Sequence, residues 1–171
     1  MRRLISAIAL LTAAGCGQAT GATAAPPLSN ETTGGAEPIT ITRLRAGPYS
    51  FAYNSGIADS ARLTVRSQAE WLQAWSALWR NTSPVPPPPP MNFGREVVVV
   101  AALGQRSSGG YSIYVDSAYQ RAGHVEVVVR KVSPGAGCVT TAALTEPVDV
   151  AVIPVTGQPL QFRERATVHE C

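Results

Sequence analysis

From Ile39 to Leu44 the chain alternates apolar and polar positions, and after Gly47-Pro48 it does so again in Tyr49-Ser50-Phe51-Ala52-Tyr53. A period of two marks a strand with one buried face, so two strands about a turn are predicted here. Ala61 to Arg66 adds a third, with Leu63 and Val65 on one face and Arg62, Thr64 and Arg66 on the other. The period then changes. Ser67-Gln68-Ala69-Glu70 has the form of a capping box, and Trp71, Leu72, Trp75, Leu78 and Trp79 recur at helical spacing up to Arg80. All three tryptophans of the chain sit on this helix. Such a stripe could offer a stacking platform for sugars or bases, but at this spacing it is the face that packs against a sheet.

The run Pro84 to Pro90 can only be extended polyproline and cannot pair as a strand, which makes it a stiff spacer or a ligand for a proline-reading module. Glu96 to Leu103 is apolar at every position after the first, as expected of a strand covered on both faces and central in its sheet. A turn-rich stretch, Gly104 to Gly110, separates it from the alternating Tyr111 to Asp116, and the two are predicted to form a hairpin. His124 to Arg130 follows with Val125, Val127 and Val129 inward, then a turn at Pro134-Gly135-Ala136-Gly137, then strands at Val148 to Ile153 and Leu160 to Phe162. Eight to ten short strands and one helix, without strand–helix alternation, give a mainly β fold: an antiparallel sheet or sandwich with one amphipathic helix packed on it.

The N-terminus changes the picture of where such a domain resides. Met1-Arg2-Arg3 precedes the apolar run Leu4 to Leu11, and Thr12-Ala13-Ala14-Gly15 leads into Cys16. This is a charged n-region, a short h-region and a small-residue cleavage site, too short to span a bilayer. Small residues directly before a cysteine resemble the bacterial lipoprotein signal, which implies acylation of Cys16; an ordinary secretory leader is the other reading. Ala13 stands where Leu is commoner. Residues 16–37 hold one large aliphatic side chain, Leu28, and cannot offset ordering entropy by burial, so they are expected to be a flexible tether of roughly 25 Å span. The expected organisation is a leader over 1–15, a tether over 16–37 and a single β-rich domain over 38–171. The location implied is an exported lipoprotein at the outer membrane or cell surface, held by its lipid alone and facing an oxidising compartment.

Composition agrees with one modest domain. Of 171 residues, 45% are apolar but only 6% aromatic, with 15 Gly and 14 Pro marking many turns. The formal charge of +3 includes Arg2 and Arg3 of the leader; setting these aside leaves 12 Arg and Lys against 11 Asp and Glu, which removes the electrostatic basis for nucleic-acid binding. With Cys16 acylated, Cys138 and Cys171 remain as a disulfide pair or two free thiols, and export favours the bridge.

The sequence contains no G-x-S-x-G elbow, no phosphate-binding loop, no H-E-x-x-H and no paired C-x-x-C. His169, Glu170 and Cys171 are neighbours that diverge in an extended chain and lack a fourth ligand, so no metal and no cofactor are expected. A triad through His124 with Asp116 or Asp149, or an acid pair of Glu96 with Asp116, has nothing to single it out. No catalytic residue is therefore assigned. The segment that stands out is Gly104 to Tyr111: glycines at 104, 109 and 110 and serines at 107 and 108 around Arg106 give a backbone that a partner can approach, followed by an aromatic anchor. The same glycines would serve a plain hairpin turn, and both readings stay open.

These residues also carry a family likeness. The apolar strand running into Gly104, then Ser108-Gly109-Gly110-Tyr111-Ser112-Ile113, Pro134-Gly135-Ala136-Gly137-Cys138-Val139-Thr140 and Ala143-Leu144-Thr145-Glu146-Pro147, in that order, resemble the PrcB-type domain. The likeness spans roughly 65–162, with Ser108 where the family more often has Thr. The resemblance implies a lipid-anchored, non-catalytic accessory subunit that assembles with or stabilises a surface protease. The residues themselves make the loop of Gly104, Arg106, Ser107, Ser108, Gly109, Gly110 and Tyr111 the expected partner-binding segment. The alternative is direct peptidase inhibition, since a glycine-rich loop ending in Gly-Tyr is similar to the wedge of chagasin-type inhibitors. The Asn-Pro start and the Arg-Pro-Trp element of those inhibitors are missing here.

Overall fold

The structure, a computed structural model, describes residues 36–44 and 54–171. The leader, the tether as far as residue 35 and the expected strand Tyr49 to Tyr53 lie outside the described residues. Eight strands and one helix occur among those described: β1 (Glu37–Ile39), β2 (Thr42–Arg43), β3 (Ala61–Val65), α1 (Gln68–Leu78), β4 (Glu96–Ala102), β5 (Ser112–Arg121), β6 (His124–Pro134), β7 (Val148–Pro154) and β8 (Leu160–His169). They form two four-stranded sheets, in the orders β2-β7-β4-β3 and β1-β5-β6-β8. The fold is thus mainly β with one helix packed on it, as the pattern predicts.

β4 explains the layering. Val98, Val100 and Ala102 point to the helix side, whereas Val97, Val99 and Ala101 point into the space between the sheets. A strand with two apolar faces needs cover on both, and it lies between β7 and β3 as expected. Its partner differs from the expectation. β4 pairs not with the segment after Gly110 but with β7, antiparallel from Glu96↔Pro154 to Ala102↔Val148. The physical reason is that β7 is equally apolar on both faces, while β5 alternates and suits a sheet with one solvated face. Gly104 to Gly110 therefore carries the chain from one sheet to the other.

One further expectation is revised, and one is made more specific. Ile39 to Leu44 is two strands, not one. Ile39 and Ile41 pack into the core between the sheets, Leu44 packs on the helix side, and the break between them lets β1 pair β5 and β2 pair β7. The sheets are not wholly antiparallel, because β8 returns parallel to β6 through ten residue pairs, from Val125↔Leu160 to Pro134↔His169.

The helix starts where its capping box predicts. Ser67 Oγ accepts from Glu70 N–H, and the Glu70 carboxylate accepts from the backbone N–H groups of Arg66 and Ser67 at 2.7 and 3.1 Å. Trp71, Trp75, Leu78 and Trp79 are all buried, which makes the stripe core. The polyproline run is extended and unpaired but is not a spacer. It straps the helix, with the Trp75 and Trp71 indole N–H groups donating to the carbonyls of Pro86 and Pro89 at 2.6 and 3.2 Å. Buried indole N–H groups require acceptors, and proline carbonyls without competing N–H groups supply them.

Side chains close the two seams between the sheets. On one, Asp149 on β7 accepts from Val115 N–H at a bulge in β5 and from Arg43, which also donates to the Val115 carbonyl. On the other, Arg62 donates to the carbonyls of Ala61 and Ala102 and to Glu164, which Lys131 also pairs. The C-terminus is fixed by a disulfide between Cys138 and Cys171.

Candidate docking site

The crossover from β4 to β5 is held down rather than projecting. Gln105 N–H donates to Ala58 O at 2.8 Å, Arg106 and Thr145 exchange both backbone hydrogen bonds at 2.8 and 3.0 Å, and Gly109 N–H donates to Thr141 O at 2.9 Å. Thr145 Oγ1 adds a bond to Ser108 O. Gly104 is required by this fit rather than by a hairpin, Gly110 by its positive φ of 85°, and Gly109 by a contact that Thr141 would have to vacate. Gly104 has φ of 79° with Ser60 N only 2.8 Å from where a Cβ would stand, and a Cβ on Gly109 would meet Thr141 Oγ1 at 2.5 Å. The expectation of an exposed glycine backbone is thereby revised: Gly104 and Gly109 are buried, while Gln105, Ser107 and Gly110 remain at the surface.

The segment that holds the crossover down is Cys138 to Pro147, so stretches more than thirty residues apart in sequence meet at one end of the sandwich. Gly135 N–H donates to His169 O, and the disulfide ties Cys138 to the end of β8. Arg106 lies over the Tyr111 ring at 5.7 Å and donates to Leu103 O at 2.9 Å. This pair borders two adjoining grooves. One, of 410 Å³, is lined by Gln105, Arg106, Ser107, Tyr111 and Leu144. The other, of 290 Å³, includes Leu103, Lys131, Ser133 and Ala166 beside the same Arg106 and Tyr111. On the adjacent segment Val139 is fully exposed and Leu144 is 67% exposed. Apolar side chains held out beside an aromatic and an arginine are the elements of a protein interface.

One residue of this end escaped the reading of the sequence as a contributor. Glu146 is buried, its carboxylate accepting from the Asn81 and Gln105 side-chain amides at 3.1 and 3.4 Å, and its carbonyl accepting from Ser55 N–H and Oγ. It joins the chain after α1, the segment at Ser55 and the crossover. Its sequence signals are its place in the Ala143 to Pro147 stretch that carries the family likeness and its position just ahead of the apolar run of β7.

His124 opens β6 and His169 ends β8, at opposite ends of the pairing between these two strands. Among the described residues no group of three or more His, Cys, Asp or Glu is placed to hold a metal. No helix among them is long and apolar enough to cross a membrane. Cys16 lies outside the described residues.

No curated protein and no solved structure matches the chain. A family model does, the one described as PrcB C-terminal, over residues 97–154. That span runs from β4 to the end of β7 and holds both segments that meet at this end of the sandwich. The match, over 58 of the 171 residues, supports a PrcB-type domain.

Proposed function

We propose that this protein is a lipid-anchored, non-catalytic envelope protein that docks a partner protein, a protease, and stabilises it as an accessory subunit. The PrcB C-terminal match points to a subunit associated with a protease complex. The observation that carries the docking role is the end of the sandwich where the crossover and the Cys138 to Pro147 segment meet, with Val139 and Leu144 exposed beside Arg106 and Tyr111. Acylation of Cys16 after removal of residues 1–15 would place the domain at the outer membrane or cell surface. No cofactor enters this role.

The inhibitory alternative needs a loop that projects into a protease cleft. Five hydrogen bonds hold this crossover against its neighbours, which favours docking over wedging. The test is affinity capture of the tagged protein from gently solubilised membranes, with peptidase activity and protein identity read in the eluate. Val139→Asp with Leu144→Asp changes exposed side chains only, so folding is retained. A peptidase recovered with the wild type and lost with the double variant is the expected result, and equal recovery with both would remove this surface from the account.

A further inference from the structure

The outer face of the sheet β1-β5-β6-β8 touches the second groove only through the row of Val132 and Thr167 at one end, and the rows beyond it carry a cluster of arginines. Register places Tyr114, Arg130 and Arg165 in one row across β5, β6 and β8. Ser117, Val128 and Arg163 form the next row, then Tyr119, Glu126 and Gln161. Val125, Val127 and Val129 point to the core, so these rows face outward, with Val128 buried at 3% beneath its longer neighbours on this face. Arg130 lies over the Tyr114 ring at 4.6 Å and Arg121 over the Tyr119 ring at 5.5 Å. Four guanidinium groups, Arg121, Arg130, Arg163 and Arg165, share the face with two carboxylates. Asp116 pairs with Arg130, and Glu126 pairs with Arg121 and Arg163. Arg165 is exposed and has no carboxylate partner among the described residues.

We propose that this face lies on an anionic lipid surface. None of the exposed large apolar side chains, Leu63, Leu72, Val85, Val139, Leu144, Val155 and Val168, is among its rows, so it lacks the apolar core of a protein interface. A flat array of arginines with two interleaved tyrosines instead matches a layer of anionic headgroups in charge and in aromatic content. The point of chain entry selects the membrane as the source of that charge. β1 is the edge strand of this same sheet, with Glu37 opposite Gln120, next to Tyr119 and Arg121. An acyl chain on Cys16 would be joined to the sheet at that edge by about 20 residues, a span of roughly 25 Å. Stable membrane association takes two signals, and a basic face supplements the lipid. The choice of occupant rests on the anchor proposed above, whereas the binding itself can be measured without it.

The mature chain, residues 16–171 carrying Cys16→Ser, is mixed with vesicles of phosphatidylcholine alone or with one third phosphatidylglycerol, and the bound fraction is read by sedimentation. Binding is expected to the anionic vesicles only and to be lost at 0.5 M salt, where screening is short-ranged. Arg163→Gln with Arg165→Gln should weaken it about 25-fold, at about five-fold for each cation near the surface. Glu126→Gln should strengthen it several-fold on the anionic vesicles alone, whereas an aggregating protein would sediment equally with both vesicle types and without vesicles. Equal partition onto both vesicle types, no partition at all, or no response to either variant would overturn the proposal. Binding to poly-glutamate but not to the vesicles would overturn it in favour of an acidic protein partner. The anchor is checked separately by the mass of the N-terminal peptide.

Discussion

The helix-bearing side of the sandwich and the end proposed to dock a partner are built by different means. On the first, Trp71, Trp75, Leu78 and Trp79 meet Val98, Val100, Val148 and Val150, and apolar burial is the dominant stabilisation. At the second, chain segments are joined by backbone exchange between Arg106 and Thr145, by the Glu146 carboxylate and by a disulfide, while apolar side chains point outward. Non-directional burial tolerates adjustment but leaves nothing for a partner. Directional bonds fix a surface in one shape and free its apolar groups for recognition.

The contrast is broken most severely on the helix side. Trp75→Ala removes a buried indole, its contacts with the flanking tryptophan rings at 5.2 and 5.7 Å and the bond to Pro86, and is expected to cost about 3–5 kcal/mol in denaturant unfolding. Cys171→Ser opens a loop closed over a separation of 33 residues and should cost about 3–4 kcal/mol, read as a lower unfolding midpoint that reductant reproduces in the wild type.

Glu146→Ala should cost about 1.5–3 kcal/mol, because the Asn81 and Gln105 amides lose a charged acceptor in a buried place. Hydrogen exchange is expected to quicken at Gln105, Arg106 and Gly109 in that variant while β4 stays protected. Glu146→Gln, which keeps one acceptor oxygen, should fall between the variant and the wild type.

The smallest effect is electrostatic. Hydrogen bonds from the Arg66 backbone to Glu70, from Arg121 to Glu126 and from Lys131 to Glu164 hold these carboxyls below the ordinary value of 4.5. A carboxylate depressed in the folded state stabilises the fold above its unfolded pKa, and that contribution is lost as pH falls from about 4.5 through the lower folded values. Melting temperature measured against pH should drop in that acid range, and less steeply for Glu164→Gln, because exposed pairs contribute little each.

What the sequence made legible follows the same division. The capping box and the tryptophan spacing located α1, and unbroken apolarity placed β4 at the centre of its sheet, because each signal lies within a few neighbouring residues. Pairing was not legible, since β4 and β7 carry one pattern and nothing local says which apolar strand accompanies which. The segment from Gly104 to Tyr111 was found as a glycine-rich loop, but its fixed shape comes from Thr141 and Thr145, far along the chain. Glu146 was hidden for a like reason. An acidic residue reads as solvated unless its partners are known, and Asn81 and Gln105 stand 65 and 41 residues before it.

The central claim, that the end bearing Leu144 meets a partner while the helix side only supports it, is tested most directly by position-specific cross-linking. A benzophenone amino acid is placed at Leu144 or, in a second protein, at Leu72, an exposed apolar position on α1 at 47%. Both are irradiated in intact envelopes and the cross-linked species are identified. The expected result is one discrete heteromeric product from position 144, containing a peptidase, and none from position 72. Equal products from both positions, or a product from 72 alone, would contradict the account.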